Sequence, residues 1–150
     1  MDIQQQILDA LPYSKPFLFV DRLTKMEENS FEGIYRLRED EYFYEGHFAG
    51  NPVTPGVILT EIAAQVGLVS YALYLLIKDG KGVDYLPSFT SAQMDFLLPV
   101  YPGTELTIMS QKEYFRFNKL KCKVKVLNEE RKVVCEGYLS GFITPKHSSH

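Results

Sequence analysis

The sequence has little of the residue types on which several classes of protein depend. Among its 150 residues there are two cysteines, no tryptophan and three histidines. The two cysteines, Cys122 and Cys135, do not supply the disulfide framework of a small secreted domain, although one bridge between them stays open. No secretory n-region is found in the polar start Met1–Gln6, so we expect a reduced, cytoplasmic protein. No His/Cys cluster has zinc spacing, which argues against a structural metal.

Motifs of nucleotide chemistry and serine hydrolysis are also missing. The sequence has no G-x-S-x-G elbow, and Gly80-Lys81-Gly82 is no phosphate loop, because it follows a predicted helix and lacks a third glycine. Sixteen Lys+Arg against nineteen Asp+Glu give a net charge of -3, with no long basic run, which argues against nucleic acid. A hydrophobic fraction of 45% excludes a disordered chain, and the length is that of one domain.

One long apolar segment, Val57–Ile77, dominates the middle of the chain. It predicts a helix about 30 Å long at about 1.5 Å per residue. That length is also enough to span a membrane. Glu61, Gln65, Gly67 and Ser70 lie inside the segment, however, and a carboxylate is costly at the centre of a bilayer. We therefore expect the core helix of a soluble protein.

Alternating patterns predict strands on both sides of this helix. Apolar residues and lysines alternate from residue 119 to residue 126, so we expect one core face and one solvated face, with an acidic partner of the lysines as the alternative. The other predicted elements are a helix at Asp2–Leu11, strands at Phe17–Met26, Phe31–Leu37, Ser88–Val100, Glu105–Arg116 and Val133–Ile143, a loop at Glu41–Asn51 and a turn at Asn128–Arg131. An apolar helix segregated from antiparallel strands predicts an α+β domain, with the sheet wrapped around the helix. We expect one domain at residues 1–145 and a disordered tail at 146–150.

The richest chemistry is predicted around His47, which is the only histidine outside the C-terminal tail. The surrounding segment, residues 46–57, contains Gly46, Gly50, Gly56 and the prolines Pro52 and Pro55, which restrict the conformation of a loop. An unperturbed imidazole titrates near neutral pH, so such a loop can present a general base. A purely structural histidine is the alternative.

Glu61 and Gln65 are four residues apart and share a face of the predicted helix. Apolar neighbours desolvate the Glu61 carboxyl, which raises its pKa and lets it hold a proton at neutral pH. A histidine base and a protonated carboxyl are what eliminating water beside a carbonyl requires. The N–H groups of Gly56 and Val57 at the helix start suit negative charge on a carbonyl oxygen. Spacing alone does not bring His47 and Glu61 together, and an interior hydrogen bond would also explain Glu61 and Gln65.

The segment Gly46–Gln65 resembles the active-site signature of the bacterial 3-hydroxyacyl-[acyl-carrier-protein] dehydratases, which have the hot-dog fold. In that signature a Gly-His-Phe run leads to Pro-Gly-Val, and a glutamate follows the histidine by fourteen residues. His47 and Glu61 keep this interval, and Ala64-Gln65 match the Ala-Gln that follows. Residues 11–22 and 99–106 resemble two further markers, so the similarity extends over residues 5–143.

This resemblance implies a hydro-lyase that converts a 3-hydroxyacyl thioester into the trans-2-enoyl thioester, in fatty acid, specialised lipid or polyene biosynthesis. His47 would remove the α-proton and Glu61 would protonate the departing hydroxyl. The amides of Gly56 and Val57 would hold the thioester carbonyl, and Gln65 would orient Glu61. The partner would be acyl carrier protein, whose phosphopantetheine carries the substrate, with no further cofactor and no metal. The resemblance also implies a homodimer, or an assembly of dimers, with shared active sites and an apolar tunnel beside the long helix.

The chain departs from the family pattern at several positions. Ala49 replaces a usual proline, Tyr13-Ser14-Lys15 replaces the more common His-Arg-Tyr, Thr54 replaces a usual methionine, and Leu97-Leu98 replaces frequent arginines. These changes keep the base and the acid, and bear instead on the acyl substrate and on carrier docking. Two alternatives stay open, a hot-dog acyl thioesterase and a non-catalytic subunit that binds acyl thioesters. The sequence also leaves open whether the acyl group is carried by carrier protein or by coenzyme A, how long the acyl chain is, and whether the enzyme isomerises the double bond.

Overall fold

The computed structural model describes residues 2–46 and 50–146, which form helices and strands in the predicted order. Helix α1 comes first, a single 3-10 turn precedes the long helix α2, and four of the strands follow α2. The bounds are α1 Ile3–Ala10, β1 Arg22–Met26, β2 Ser30–Arg36, the 3-10 turn Tyr42–Glu45, α2 Gly56–Lys78, β3 Tyr85–Phe96, β4 Glu105–Arg116, β5 Lys119–Leu127 and β6 Val133–Pro145. Residues 147–150 of the predicted tail lie outside the described residues.

The strands of the described chain form one six-stranded antiparallel sheet in the order β1-β2-β4-β5-β6-β3. Helix α2 packs against this sheet, which is the predicted α+β arrangement. On β5 the alternation is confirmed, since the apolar residues are buried and the lysines are partly or fully exposed. Cys122 and Cys135 are free and buried, so the bridge between them does not form. Burial raises the pKa of both thiols to about 12, which leaves them unreactive at neutral pH.

Helix α2 is long and apolar enough to span a membrane, yet 78% of its most apolar window is buried inside the protein. Its Tyr71 ring stacks on Phe31 of β2 at a centroid distance of 4.8 Å. The burial of α2 against the sheet is what a core helix of a soluble protein requires. The prediction of a core helix is therefore favoured over the membrane alternative.

The predicted strand Phe17–Met26 is wrong at its start, because β1 begins only at Arg22. The reason is the side chain of Gln65, whose Nε2 donates to the carbonyl oxygen of Phe17 and whose Oε1 accepts from the Phe19 amide. The backbone of these residues therefore bonds to a helix side chain instead of to a neighbouring strand.

The predicted strand Ser88–Val100 is displaced, because β3 starts at Tyr85 and ends at Phe96. Beyond it, the amides of Leu97 and Leu98 both donate to the carbonyl oxygen of Val134, at 2.8 and 3.2 Å. Two consecutive amides that share one carbonyl oxygen interrupt the regular hydrogen bonding between antiparallel strands, so β3 ends at Phe96.

Helix α2 contains a π-helical segment, Gln65–Ser70, that the sequence pattern does not predict. Two serine hydroxyls bond to its carbonyls, since Ser70 Oγ donates to Gln65 O and Ser110 Oγ of β4 donates to Gly67 O. A Cβ atom at Gly67 would lie only 3.1 Å from Val124 Cγ1. The wider turn thus brings the helix backbone against the centre of the sheet, next to Gln65.

Candidate active site

A cavity of about 270 Å³ lies between α2 and the sheet. Ala64, Leu68 and Ala72, each four residues apart, line it from one face of the helix. The opposite wall comes from β3, the start of β5 and the end of β6, in the form of Pro87, Ser88, Phe89, Leu120, Gly141, Phe142 and Ile143. The lining is mostly apolar, which suits a hydrocarbon chain.

Glu61 is the only acidic residue among the described residues that line this cavity. Its Oε2 accepts a hydrogen bond of 2.9 Å from Gln65 Nε2, so the predicted pairing of these residues on one helix face is present. Burial raises the pKa of Glu61, and the hydrogen bond from Gln65 acts in the opposite direction. The carboxyl therefore holds its proton to a higher pH than an exposed glutamate does.

Gln65 fixes the position of Glu61 through a fully satisfied amide. Its side chain is 0% exposed. Both Nε2 donors are used, by Glu61 Oε2 and by Phe17 O, while Oε1 accepts from the Phe19 amide at 2.8 Å. Because an amide has two donors on nitrogen and acceptors only on oxygen, this network leaves one orientation for the Gln65 side chain. That orientation presents an N–H to Glu61.

Tyr13 also lines the cavity, although the sequence identified it only as a departure from a family pattern. Burial and the negative charge of Glu61 both raise the pKa of the Tyr13 phenol, which therefore stays protonated. Phe17 lines the same wall, and its ring lies 6.4 Å from that of Tyr13. The signal that could have located both side chains is their place in the N-terminal stretch that resembles a family marker.

The start of α2 leaves free donors at Gly56 and Val57. The first amide of the helix with a backbone acceptor is that of Ile58, which donates to Pro55 O at 3.0 Å. Within the described residues, neither the Gly56 nor the Val57 amide donates a hydrogen bond. The ring of Phe96 packs on Gly56, where a Cβ atom would lie 3.2 Å from it. The predicted N–H donors are thus present, with a positive helix end behind them.

The Gly56 amide and the Glu61 carboxyl do not face the same cavity. Gly56 lines a separate groove formed with Leu98 and Val100, whereas Glu61 lines the cavity beside the sheet. Five residues of helix rotate by about 140°, so the Gly56 Cα and the Glu61 side chain lie on different sides of α2, and the Gly56 N–H points along the axis at the helix start. In the part of the chain that the structure describes, the two residues line different depressions.

His47, the predicted base, lies outside the described residues, and so does its predicted meeting with Glu61. The two ends of its loop are described. Tyr44 Oη and Thr54 Oγ1 are 2.7 Å apart, and the Thr54 amide donates to Val100 O. In the part of the chain that the structure describes, no group of three or more His, Cys, Asp or Glu residues is placed to hold a metal.

The fold is that of the hot-dog proteins. The dehydratase heterocomplex ApeI:P from Xenorhabdus doucetiae superposes with a TM-score of 0.76 at 15% identity, covering 94% of this chain and 92% of that chain. A thioesterase from Haemophilus influenzae superposes with a TM-score of 0.63 at 16% identity, covering 86% of this chain and 81% of that chain. At such identities these similarities concern the fold alone.

The sequence comparisons identify the family within this fold. A family model described as a FabA-like domain matches residues 11–138. A 3-hydroxyacyl-[acyl-carrier-protein] dehydratase FabZ from Caldicellulosiruptor bescii is 38% identical over 136 residues, covering 89% of this chain and 93% of that protein. The chain therefore belongs to the FabA-like family, and the resemblance drawn from residues 46–65 is confirmed.

Proposed function

We propose that the protein is a hydro-lyase that dehydrates a 3-hydroxyacyl thioester on acyl carrier protein to the trans-2-enoyl thioester in fatty acid biosynthesis. The relative named 3-hydroxyacyl-[acyl-carrier-protein] dehydratase FabZ supports this activity. The observation that carries the proposal is Glu61, a carboxyl with a raised pKa that Gln65 holds at the wall of an apolar cavity. A carboxyl that keeps its proton to a higher pH than an exposed glutamate suits the protonation of a leaving hydroxyl.

The proposed reaction consists of two proton transfers. His47 takes the proton from the carbon next to the thioester carbonyl, and the electron pair of that C–H bond forms the new double bond. The bond between C3 and its oxygen breaks, and Glu61 gives its proton to the oxygen, which leaves as water. The Gly56 and Val57 amides stabilise the negative charge that develops on the thioester oxygen. Exchange with solvent returns both side chains to their starting protonation states.

Gln65 is proposed as the residue that positions the acid. Its amide is held on its other sides by Phe17 O and the Phe19 amide, so its bond to Glu61 is fixed in direction. General acid catalysis contributes about 10²- to 10⁴-fold when the acid is within hydrogen-bond reach. Because Gln65 holds the Glu61 side chain in one rotamer, the carboxyl can stay within hydrogen-bond reach of the leaving hydroxyl.

The acyl chain is proposed to occupy the cavity beside α2. The cavity has a volume of about 270 Å³ and a mostly apolar lining, as a hydrocarbon chain requires. The phosphopantetheine arm of the carrier protein would deliver the thioester to Glu61, and we propose no further prosthetic group or metal. A cytoplasmic location fits the buried core helix and the two free cysteines.

We further propose a homodimer, or an assembly of dimers, in which each site is shared. Strand β3 is at the edge of the sheet and is mostly exposed along its twelve residues. Leu86, Phe89 and Phe96 on this strand are between 42% and 50% exposed. An apolar edge of this length favours pairing with a second copy of the chain. Such a pairing would let the Glu61 of one chain face the His47 and Gly56 of the other.

The test uses purified protein and a 3-hydroxyacyl chain of eight to ten carbons on acyl carrier protein, with the enoyl product measured by mass spectrometry. We expect His47→Ala and Glu61→Gln each to lower kcat by about 100-fold or more. Glu130→Gln makes the same chemical change at an exposed turn and should leave kcat unchanged. Activity undiminished in both site variants would contradict the proposal. Release of free thiol would indicate a thioesterase instead, and tight binding without turnover would indicate a non-catalytic subunit.

A further inference from the structure

Two buried hydroxyls meet at the base of the loop that contains His47. Tyr44 Oη and Thr54 Oγ1 are 2.7 Å apart, and the two residues are 8% and 5% exposed. Their hydrogen bond joins positions ten residues apart, with residues 45–53 between them. A hydrogen bond of this kind closes the loop at its two ends.

Each partner in this bond is itself held by the folded protein. The Thr54 amide donates to Val100 O at 2.8 Å, and the Tyr44 amide donates to Glu41 O at 3.1 Å. Glu41 is only 1% exposed, and its carboxylate accepts hydrogen bonds from the Tyr35 hydroxyl and the Arg38 amide. The bond between Tyr44 and Thr54 therefore ties the loop to two fixed points.

The described ends of the loop contain two glycines. Gly46 and Gly50 lie between the two hydroxyls, and Gly50 has a positive φ of 81°. Glycine has the largest conformational freedom of any residue, so a loop with two of them needs external constraints to hold one shape. The hydroxyl pair supplies such a constraint, with Tyr44 three residues before His47 and Thr54 seven residues after it.

The hydrogen bond between the two hydroxyls depends on both partners. Removal of the threonine hydroxyl would leave the Tyr44 hydroxyl buried without its partner, which is the costly way to lose a hydrogen bond. We propose that Tyr44 and Thr54 are positioning residues, which join the two described ends of the loop, residues 44–46 and 50–54, and thereby support the action of His47. This inference rests on the proposed function, because it assigns His47 the role of the base.

The principal test is Thr54→Val, which keeps the shape of the side chain and removes the hydroxyl. We expect kcat to fall about tenfold with KM changed less than twofold, because a small displacement of a catalytic group slows the chemical step more than it weakens binding. Thr54→Ser should restore kcat to within twofold of the wild-type value. Thr104→Val removes a threonine hydroxyl that bonds to Tyr101 O in an exposed turn, and it should leave kcat unchanged.

Hydrogen–deuterium exchange gives a second measurement that does not depend on activity. We expect exchange in the peptide 45–53 to rise at least threefold in Thr54→Val and in Tyr44→Phe, with the rest of the protein unchanged. A kcat equal to that of Thr104→Val, or unchanged exchange in residues 45–53, would overturn the proposal. If the wild-type protein does not convert a 3-hydroxyacyl thioester, the proposed function is wrong. The exchange measured in residues 45–53 then decides alone whether the hydrogen bond between Tyr44 and Thr54 constrains this segment. Should Thr54→Val not fold, Tyr44→Phe and Thr54→Ser provide the same comparison.

Discussion

At the scale of single residues, Glu61 links the stability of the protein to pH. Burial raises its pKa in the folded state above the value in the unfolded chain. Between these two pKa values the folded protein binds more protons than the unfolded chain, so the free energy of unfolding falls as pH rises through this interval. The contribution of Glu61 is therefore favourable at low pH and is lost at higher pH.

Glu61→Gln removes this dependence, because glutamine does not titrate. We expect the Tm of the variant, relative to that of the wild type, to increase as pH rises from about 4 to about 8. Thermal unfolding followed by circular dichroism in a series of buffers measures this difference. Glu130→Gln, the control at an exposed turn, should give a difference that does not vary in the same direction. A Tm difference that decreases with pH would show that the Glu61 pKa is not raised.

Gln65 shows how far residue-level prediction can go. The four-residue spacing from Glu61 predicted a shared helix face, and the hydrogen bond between the two side chains is present. The bonds from Gln65 to Phe17 and Phe19 join residues 48 and 46 positions apart, and no local pattern indicates them. They depend on how the N-terminal segment crosses α2, which is a property of the packed molecule. For the same reason the strand predicted to start at Phe17 starts at Arg22.

At the scale of elements, one face of α2 sets the length of the cavity. Glu61 and Ala72 both line it and are eleven residues apart, which corresponds to about 16 Å along a helix. Ala72 is 4% exposed and contributes only a methyl group to the wall. A larger side chain at this position would occupy the end of the cavity far from the acid.

Ala72→Leu should therefore shorten the range of acyl chains that the enzyme accepts. We expect kcat/KM for 3-hydroxyacyl chains of ten or more carbons to fall at least tenfold, because tightly packed side chains do not move aside for the end of the acyl chain. Four-carbon substrates should be converted as by the wild type. Competition between substrates of different length, with products separated by mass, measures this change. Ala10→Leu on α1, away from the cavity, is the control. An equal loss for short and long chains would show that the chain does not extend to Ala72.

The interior of α2 also marks the limit of prediction for whole elements. Its existence and approximate ends followed from an apolar segment, and the predicted range Val57–Ile77 differs by one residue at each end from the observed Gly56–Lys78. The π-helical segment at Gln65–Ser70 was not predictable, because one of the hydroxyls that support it belongs to Ser110 on a distant strand. Hydropathy likewise did not separate a membrane span from a core helix, since only the sheet decides which surface covers α2.

At the scale of the whole molecule, the positions of the acid and of the helix start argue for a site built from two chains. Gly56 lines one groove and Glu61 lines another, on different sides of α2. The exposed edge strand β3 offers a surface on which a second copy can pair. In a symmetric dimer both sites are equivalent, and each would take its base from one protomer and its acid from the other.

Co-expression of two inactive variants tests this arrangement directly. A His47→Ala chain paired with a Glu61→Gln chain would form one site with both substitutions and one site with neither. If the chains associate at random, half of the dimers are mixed, so we expect about a quarter of the wild-type activity per chain. Co-expression of His47→Ala with the double variant His47→Ala/Glu61→Gln forms no intact site and should show no recovery. If each site were contained within a single chain, both mixtures would be inactive, because every chain would carry a defect in its own site. Recovery of activity in the first mixture alone therefore requires that the base and the acid come from different chains.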